Sequence, residues 1–263
     1  MKPSLIIFDI DETLYINHED RIPDSTIAAI EKLKKAGHTL AIATGRSLYS
    51  IRDREKFNQL PMDFHILANG QLVIKGDEVI YENSIDHKLI HELLKIAKAR
   101  GIELGFNTAT HSFVTDLTDE VRESFFSASR LPRISKDIEG NGSIYQIWYF
   151  SPDYHDLAEQ LKDKLRFIPW LTHSGADILP IGISKATALK ELLKNFTDNP
   201  YQKTIFFGDG ANDIELIQLA DIGVAMGNGV EALKEVADFV TKNIEDDGIY
   251  YACEQLGLFE VSN

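Results

Sequence analysis

The stretch that decides the fold is residues 5–13, LIIFDIDET, in which an apolar run ends in acidic residues. Residues 5–8 are apolar at every position, which is typical of a strand covered on both faces, as in a parallel sheet between two layers of helices. Residues 40–43 and 205–207 share this pattern and are also followed by polar residues. Ligand sites in such sheets lie beyond the carboxyl ends of the strands, so we expect Asp9, Thr44 and Asp209 to meet at one edge.

Length and composition narrow the class of protein. The chain has 263 residues, 44% of them hydrophobic, which predicts two domains with packed cores. A formal net charge of -14 disfavours nucleic acid and anionic membranes as partners and favours a small-molecule substrate. One cysteine, Cys253, excludes an internal disulfide, and the first apolar run is too short for a signal peptide or a membrane span. The prediction is a cytoplasmic protein, either a monomer or a small homo-oligomer.

The order of elements indicates that one domain is inserted into another. Strand and helix patterns alternate over residues 5–68 and again after Gly182, which predicts parallel strands with right-handed crossovers. Between these regions the pattern changes to helices at 120–129 and 154–165 with strands at 145–150 and 170–178. The predicted fold class is α/β, with a Rossmann-like doubly wound parallel sheet in residues 1–83 and 181–263. Residues 84–180 are predicted to form an inserted α+β domain.

Asp9 and Asp11 form the first candidate catalytic pair. In an extended segment, residues two apart point the same way, so both carboxylates can face one small volume. One carboxylate can then attack phosphorus to form an aspartyl-phosphate, while the other protonates the leaving oxygen and later activates water. The alternatives are the start of a solvated acidic loop or an EF-hand. An EF-hand would need glycine and glutamate where this chain has Leu14 and Asp20.

A second acidic segment, residues 208–213, reads GDGAND. It follows a predicted buried strand and opens a helix, so Asp209 and Asp213 can face the same cavity. A dinucleotide-binding fingerprint would need glycine in place of Asp213. Helix capping is the simpler alternative, because aspartate and asparagine are common at helix starts.

Bringing the carboxylates of Asp9, Asp11, Asp209 and Asp213 together predicts a cation. Two like charges about 4 Å apart repel by roughly 4 kcal/mol at an effective dielectric constant near 20. Ligation by oxygen alone favours Mg²⁺, which would also neutralise an incoming phosphate.

Three further residues are candidates for phosphate binding. Thr44 offers a hydroxyl, and the backbone N–H of Gly45 lies beside it near a predicted helix start. Lys185 can supply a cation that steadies a transferring phosphoryl group. Taken singly, such a lysine is usually a solvated surface residue.

Together these segments resemble the motifs of the haloacid dehalogenase (HAD) superfamily of phosphatases, most closely its Cof-type branch with a type IIB cap. The matching segments are DIDET at 9–13, ATGR at 43–46, Lys185, and GDGAND at 208–213. The resemblance implies that the inserted α+β domain is the cap, which closes over the site and selects the leaving group.

The resemblance also implies a role for each matching residue. Asp9 would be the nucleophile and Asp11 the general acid and base. The ligands of Mg²⁺ would be Asp9, the main-chain carbonyl of Asp11, and Asp209, with Asp213 supporting them. Phosphate would be bound by Thr44, Gly45 and Lys185, with Asn212 adjacent.

Two positions depart from the family pattern, which usually has glycine at the positions of Glu12 and Ala186. Neither change removes a reacting group. Because Glu12 adds bulk and charge near the entrance, we expect it to alter leaving-group preference or the approach of the cap.

The predicted function is Mg²⁺-dependent hydrolysis of a small phosphorylated metabolite, either a sugar phosphate or a nucleotide or cofactor phosphate. A phosphomutase or other phosphotransferase would use the same intermediate and differ only in the acceptor. A phospho-receiver-like signalling module is the non-enzymatic alternative. It would need its phosphorylated aspartate after the third strand, where this chain has Ala68 and Asn69.

Overall fold

The computed structural model describes residues 3–52, 55–125, 131–170, 174–194 and 201–260, without the side chains of Tyr49, Arg52, Glu55 and Asn58. The chain divides into two compact units. The first comprises the described residues of Met1–Arg46, Arg54–Glu82 and Ser184–Asn263, and the second those of Ser47–Asp53 and Asn83–Ile183.

The first unit is built on a sheet of eight strands. These are β1 (Leu5–Phe8), β2 (Thr39–Ala43), β3 (Phe64–Leu67), β4 (Leu72–Lys75), β5 (Glu78–Glu82), β12 (Thr204–Gly208), β13 (Ile222–Ala225) and β14 (Phe239–Val240). Their order is β14-β13-β12-β1-β2-β3-β4-β5. Neighbours from β14 to β3 are parallel, whereas β4 and β5 extend the sheet as an antiparallel hairpin.

The helices of this unit are α1 (Asp24–Lys35), α3 (Glu55–Asn58), α7 (Lys185–Lys194), α8 (Ile214–Leu219), α9 (Glu231–Lys234) and α10 (Gly248–Gln255). Strands β1 and β12 are buried at every position, as their apolar sequences predict. One core cluster joins alternate residues of β1 and β2 with apolar residues of α7 and α8, including Leu189 and Leu216. Short 3₁₀ turns at Ala68–Gly70 and Ala211–Asp213 lie beyond β3 and β12.

The second unit contains a sheet of six strands. These are β6 (Leu104–Asn107), β7 (Ser112–Val114), β8 (Arg133–Ile134), β9 (Gln146–Tyr149), β10 (Leu165–Pro169) and β11 (Ala176–Pro180), in the order β10-β11-β9-β6-β7-β8. Its helices are α2 (Leu48–Arg52), α4 (His87–Arg100), α5 (Asp119–Ser124) and α6 (His155–Gln160). Apolar residues of α4 and α6, such as Leu93 and Leu157, pack with alternate residues of β6, β9 and β11 in one core.

The predictions for residues 154–180 were wrong in detail. The helix predicted at 154–165 ends at Gln160, and residues 165–169, for which no strand was predicted, form β10. The strand predicted at 170–178 corresponds to β11, which begins at Ala176 and pairs with β10 in antiparallel fashion. Strand β10 ends in Pro169 and lies at the edge of the sheet, where proline is tolerated because one row of N–H groups needs no partner. The helix predicted at 120–129 is α5 and ends at Ser124, and residues 126–130 lie outside the described residues.

Candidate active site

Four neighbouring strands of the first unit each end in a candidate site residue. Asp209 follows β12, Asp9 follows β1, Thr44 follows β2, and Asn69 lies just beyond β3. The strands pair in parallel in this order, so their carboxyl ends share one edge of the sheet. The sequence predicted three of these four positions.

Lys185 is buried at this edge between two carboxylates. Its side chain is 1% exposed, and Nζ lies 3.0 Å from Oδ1 of Asp9 and 2.7 Å from Oδ1 of Asp213. Burial alone would lower the pKa of the lysine, but Asp213 and Asp9 outweigh that effect and raise it. The ammonium group is therefore held charged beside Asp9.

The turn at Ala68–Gly70 packs closely against the residue that precedes α7. Ala68, Asn69 and Gly70 all have positive φ, at 48°, 54° and 101°. A Cβ atom at position 70 would lie 2.1 Å from the carbonyl oxygen of Ser184, the residue before Lys185. Glycine is therefore required for both the backbone conformation and the close approach.

Burial raises the pKa of both carboxyl groups, Asp9 and Asp209. It raises the pKa of Asp9 well above its ordinary value, although Lys185 opposes the shift. It also raises the pKa of Asp209 to about 7, aided by the charge of Asp213. Asp209 is oriented by the hydroxyl of Thr13, which donates a hydrogen bond of 2.8 Å to Oδ1.

These carboxylates fit a hard divalent cation. Asp9, Asp209 and Asp213 each offer a carboxylate oxygen, and the three oxygens lie within 4.8 Å of one another. Oδ1 of Asp9 is buried and, despite its short distance to Lys185, makes no hydrogen bond of acceptable geometry. A buried carboxylate oxygen with acceptor capacity to spare, surrounded by further oxygens, is suited to Mg²⁺.

Asp213 mainly organises the loop that carries Asp209. Its Oδ2 accepts hydrogen bonds of 3.0 Å from the backbone N–H groups of Asp209 and Gly210, and its Oδ1 accepts one from Lys185. With both oxygens engaged, this side chain is better placed to support the other carboxylates than to bind a cation by itself.

Asp11 is engaged by Arg46, a contact that sequence reasoning missed. Nε and Nη2 of Arg46 donate to Oδ2 and Oδ1 of Asp11 at 2.9 and 2.6 Å. The guanidinium lies over the rings of Tyr15 and Phe57, with centroid distances of 5.4 and 5.1 Å. Burial would raise the pKa of Asp11, but the charge and hydrogen bonds of Arg46 outweigh it and lower the pKa.

The candidate phosphate residues lie around Asn69, which the sequence analysis considered only as the position where a receiver module would need an aspartate. The Thr44 hydroxyl accepts a hydrogen bond of 3.1 Å from the backbone N–H of Arg46. A Cβ atom at Gly45 would lie 3.1 Å from Nδ2 of Asn69, and Oδ1 of Asn69 accepts a hydrogen bond of 3.0 Å from Nδ2 of Asn212. The available signal was the strand end before Asn69, equivalent to those before Asp9 and Thr44.

Comparison with known proteins identifies the family. The sequence pattern of haloacid dehalogenase-like hydrolases matches residues 6–253. The "Putative phosphatase YkrA" of Bacillus subtilis is 34% identical, over 99% of this chain and 100% of YkrA. The 5-amino-6-(5-phospho-D-ribitylamino)uracil phosphatase YitU of the same species is 26% identical, over 94% of this chain and 95% of YitU.

Solved structures agree with the sequence relatives. The HAD subclass IIB sugar phosphatase BT4131 superimposes with a TM-score of 0.83 and 29% identity, covering 97% of this chain and 99% of that protein. The chain therefore belongs to the haloacid dehalogenase-like hydrolases. The predicted family, the α/β fold with a Rossmann-like core, and the phosphatase class of enzyme are confirmed. Among the described residues, no helix is both long and apolar enough to cross a membrane.

Proposed function

We propose that this protein is a Mg²⁺-dependent phosphatase that hydrolyses a small phosphorylated metabolite through an aspartyl-phosphate on Asp9. The observation that supports it best is the setting of the Asp9 carboxylate. This buried group lies 3.0 Å from the Lys185 ammonium, and one of its oxygens lies within 4.8 Å of oxygens of Asp209 and Asp213. A nucleophile beside a fixed cation and a cluster of acidic ligands is suited to phosphoryl transfer.

The first chemical step is assigned to Asp9 and Asp11. A carboxylate oxygen of Asp9 attacks phosphorus, and the bond from phosphorus to the leaving oxygen breaks. Asp11, in its protonated form, gives its proton to that oxygen, so the alcohol leaves neutral. Lys185 offsets the negative charge of the phosphoryl group during the transfer.

The second step regenerates both carboxyl groups. Asp11, now ionised, takes a proton from water as the water oxygen attacks phosphorus. The bond between phosphorus and the Asp9 oxygen breaks, and inorganic phosphate is released. The pair with Arg46 holds the Asp11 carboxyl group in place and favours its ionised form, which is the form that takes the proton from water in this step.

Asp9, the main-chain carbonyl of Asp11, and Asp209 would hold Mg²⁺, with Asp213 in support. When bound, the ion supplies positive charge that reduces repulsion between the carboxylates and the phosphate. Thr44, Gly45, Lys185 and Asn212 are proposed to bind the phosphate oxygens. Asn69 would hold Asn212 in place through the hydrogen bond of 3.0 Å between their side chains.

The proposed substrates are sugar phosphates and nucleotide or cofactor phosphates. Two relatives support this range, since BT4131 is a sugar phosphatase and YitU acts on a phosphorylated ribitylamino-uracil. Both named substrate classes join a phosphate to a small polar leaving group. Residues 84–180 are proposed as the cap that selects this group, and the cytoplasm as the site of action.

The test is phosphate release from p-nitrophenyl phosphate by the native chain and by Asp9→Asn, each with Mg²⁺ and with chelator. We expect turnover only when both Mg²⁺ and Asp9 are present. Trapping of radiolabelled phosphate on the native chain by rapid acid quench should then locate the label on Asp9. Turnover that persists in Asp9→Asn would refute the proposed mechanism, and transfer to a sugar acceptor would identify a phosphotransferase.

A further inference from the structure

Glu12 adopts a backbone conformation that glycine usually occupies. Its φ is 56°, in the left-handed region, where the Cβ of an L-residue is crowded by its own carbonyl oxygen. Glutamate is not among the residues that tolerate this region well. A glutamate at such a position therefore calls for a compensating role of its side chain.

The carboxylate of Glu12 is directed back onto Asn17. Its Oε1 accepts hydrogen bonds from the backbone N–H of Asn17 at 3.1 Å and from Nδ2 of Asn17 at 3.0 Å. The backbone of Glu12 is also held, because its N–H donates to the carbonyl of Tyr15 at 2.8 Å and its carbonyl accepts from Nδ2 of Asn228 at 2.8 Å. The side chain thus closes the loop of residues 12–17.

Asn17 in turn contacts Arg46. Oδ1 of Asn17 accepts a hydrogen bond of 3.2 Å from Nη2 of Arg46, and the same nitrogen donates to Oδ1 of Asp11 at 2.6 Å. Glu12 determines how Asn17 presents this oxygen, since it engages both the Nδ2 group and the backbone N–H of Asn17. A continuous set of hydrogen bonds therefore joins Glu12, Asn17, Arg46 and Asp11.

We infer that Glu12 and Asn17 are positioning residues that orient Arg46, and through it the carboxyl group of Asp11 that serves the acid and base steps. The inference rests on the proposed function of this site. It attributes the expected effect of Glu12 on leaving-group preference to the contact with Asn17, because the carboxylate is directed at that residue. The guanidinium of Arg46 has two aromatic rings beside it, and its two hydrogen bonds to Asp11 leave Nη2 able to bind Asn17 as well. Asn17 therefore adds a third polar contact that restrains the in-plane orientation of the guanidinium.

This role predicts a dependence on the leaving group. Proton donation by Asp11 contributes most when the leaving oxygen is basic, as in an alkyl phosphate, and least when it is a stable phenolate. A misplaced Asp11 should therefore slow alkyl phosphates much more than p-nitrophenyl phosphate. A general loss of folded protein would reduce both reactions in the same proportion.

The experiment compares kcat/KM for a sugar phosphate and for p-nitrophenyl phosphate in native protein, Glu12→Gly, Glu12→Gln and Asn17→Ala, with Mg²⁺ present. This constant covers the steps up to formation of the aspartyl-phosphate, so it excludes the base step of Asp11, which all substrates share. We expect Glu12→Gly and Asn17→Ala to lower the rate constant about tenfold for the sugar phosphate and less than about twofold for the aryl phosphate. The tenfold loss is smaller than the total contribution of a general acid because Asp11 itself is still present. Glu12→Gln should restore the native ratio, because its amide oxygen can accept both hydrogen bonds from Asn17. Glu254→Gln, at an exposed position of α10, serves as the charge control.

Equal losses on the two substrates, or an unchanged ratio in both Glu12→Gly and Asn17→Ala, would overturn the inference. Thermal unfolding of each variant shows how much folded enzyme is present, and Asn17→Ala carries the test if Glu12→Gly does not fold. Asp9→Asn separates this inference from the proposed function. If turnover depends on Asp9 but the ratio does not change, the positioning role fails alone, whereas turnover independent of Asp9 refutes the function itself.

Discussion

Lys185 is the residue on which the electrostatic balance of the site depends most. It is buried and charged, and it contacts the carboxylates of both Asp9 and Asp213. A neutral side chain of similar length would leave two buried carboxylates without their cation. Removing one partner of a buried ion pair typically destabilises a protein by about 3–5 kcal/mol.

We therefore predict that Lys185→Met lowers kcat for phosphate release by at least about 100-fold. A loss of this size is typical when one group that stabilises the charge of the transition state is removed. Its urea midpoint should also fall. Lys190→Met is the matched control, because Lys190 is exposed on the same helix and should change neither quantity. A Lys185→Met enzyme with native turnover would show that this cation does not act on the transferring group.

At the scale of elements, the turn at Ala68–Gly70 and the start of α7 depend on each other. The carbonyl of Ser184 occupies the space that a side chain at position 70 would need. Any displacement of this carbonyl moves the first residue of α7, which is Lys185. The turn also carries Asn69, so one contact between backbones orders two parts of the site.

Two glycines provide a controlled test of this contact. Gly70→Ala and Gly76→Ala both place alanine at positive φ, at 101° and 60°, but a Cβ at position 76 would have nothing within 4 Å. Gly76→Ala should lower the free energy of unfolding only by the cost of placing alanine in the left-handed region, about 1–2 kcal/mol. Gly70→Ala should lose clearly more stability by urea unfolding and also reduce kcat. Equal effects of the two substitutions would show that the close approach to Ser184 has no consequence.

The sheet of the second unit contains a row of polar side chains across four strands. Ser112 on β7 donates to Asn107 on β6, and Asn107 donates to Gln146 on β9 at 2.9 Å. Asp177 on β11 accepts from Gln146 and, at 2.8 Å, from the indole N–H of Trp170. The row ends at the carboxyl group of Asp177. Burial raises the pKa of this group to about 6, although its hydrogen bonds from Trp170 and Gln146 act in the opposite direction.

This shift has a defined effect on stability. Because the folded state holds the Asp177 proton more tightly than the unfolded chain, the group stabilises the fold below about pH 4, and that contribution is lost as the pH rises through 6. Asp177→Asn removes the titration. Between pH 4.5 and 7.5 the native protein should therefore lose on the order of 2 kcal/mol relative to the variant. Urea unfolding at both pH values measures this difference, and parallel behaviour of the two proteins would contradict it.

At the scale of the whole molecule, metal binding and proton binding should be linked. Burial brings the pKa of Asp209 to about 7 and also raises that of Asp9, so binding of the proposed Mg²⁺ at pH 6 would displace a proton from Asp209. We predict that Mg²⁺ affinity rises between pH 5.5 and 8. Titration calorimetry in buffers of different ionisation enthalpy should detect the released protons.

Asp209→Asn provides the control for this linkage. It removes one titrating group, so the variant should bind Mg²⁺ more weakly and release fewer protons at pH 6. Affinity that is independent of pH in the native protein would show that the carboxylates are already ionised before the metal binds.

Much of the fold could be predicted because the relevant signals are local. The apolar runs of β1, β2 and β12 and the acidic residues after them required only the periodicity of strands and the geometry of parallel sheets. Residues 154–180 were predicted less well, because edge position decides whether Pro169 can belong to a strand, and edge position is a property of the assembled sheet.

The sequence by itself determined the α/β class, the family and the candidate reacting residues Asp9, Asp11, Asp209 and Lys185. These are encoded by short segments whose spacing along the chain carries the signal. Only the tertiary structure decided that Arg46 pairs with Asp11, that Asn69 lies beside Gly45, and that Glu12 binds Asn17. The reason is that burial, side-chain direction and hydrogen-bond partners depend on which chain segments meet, and residues as far apart as Asp11 and Arg46 meet only when the sheet has formed.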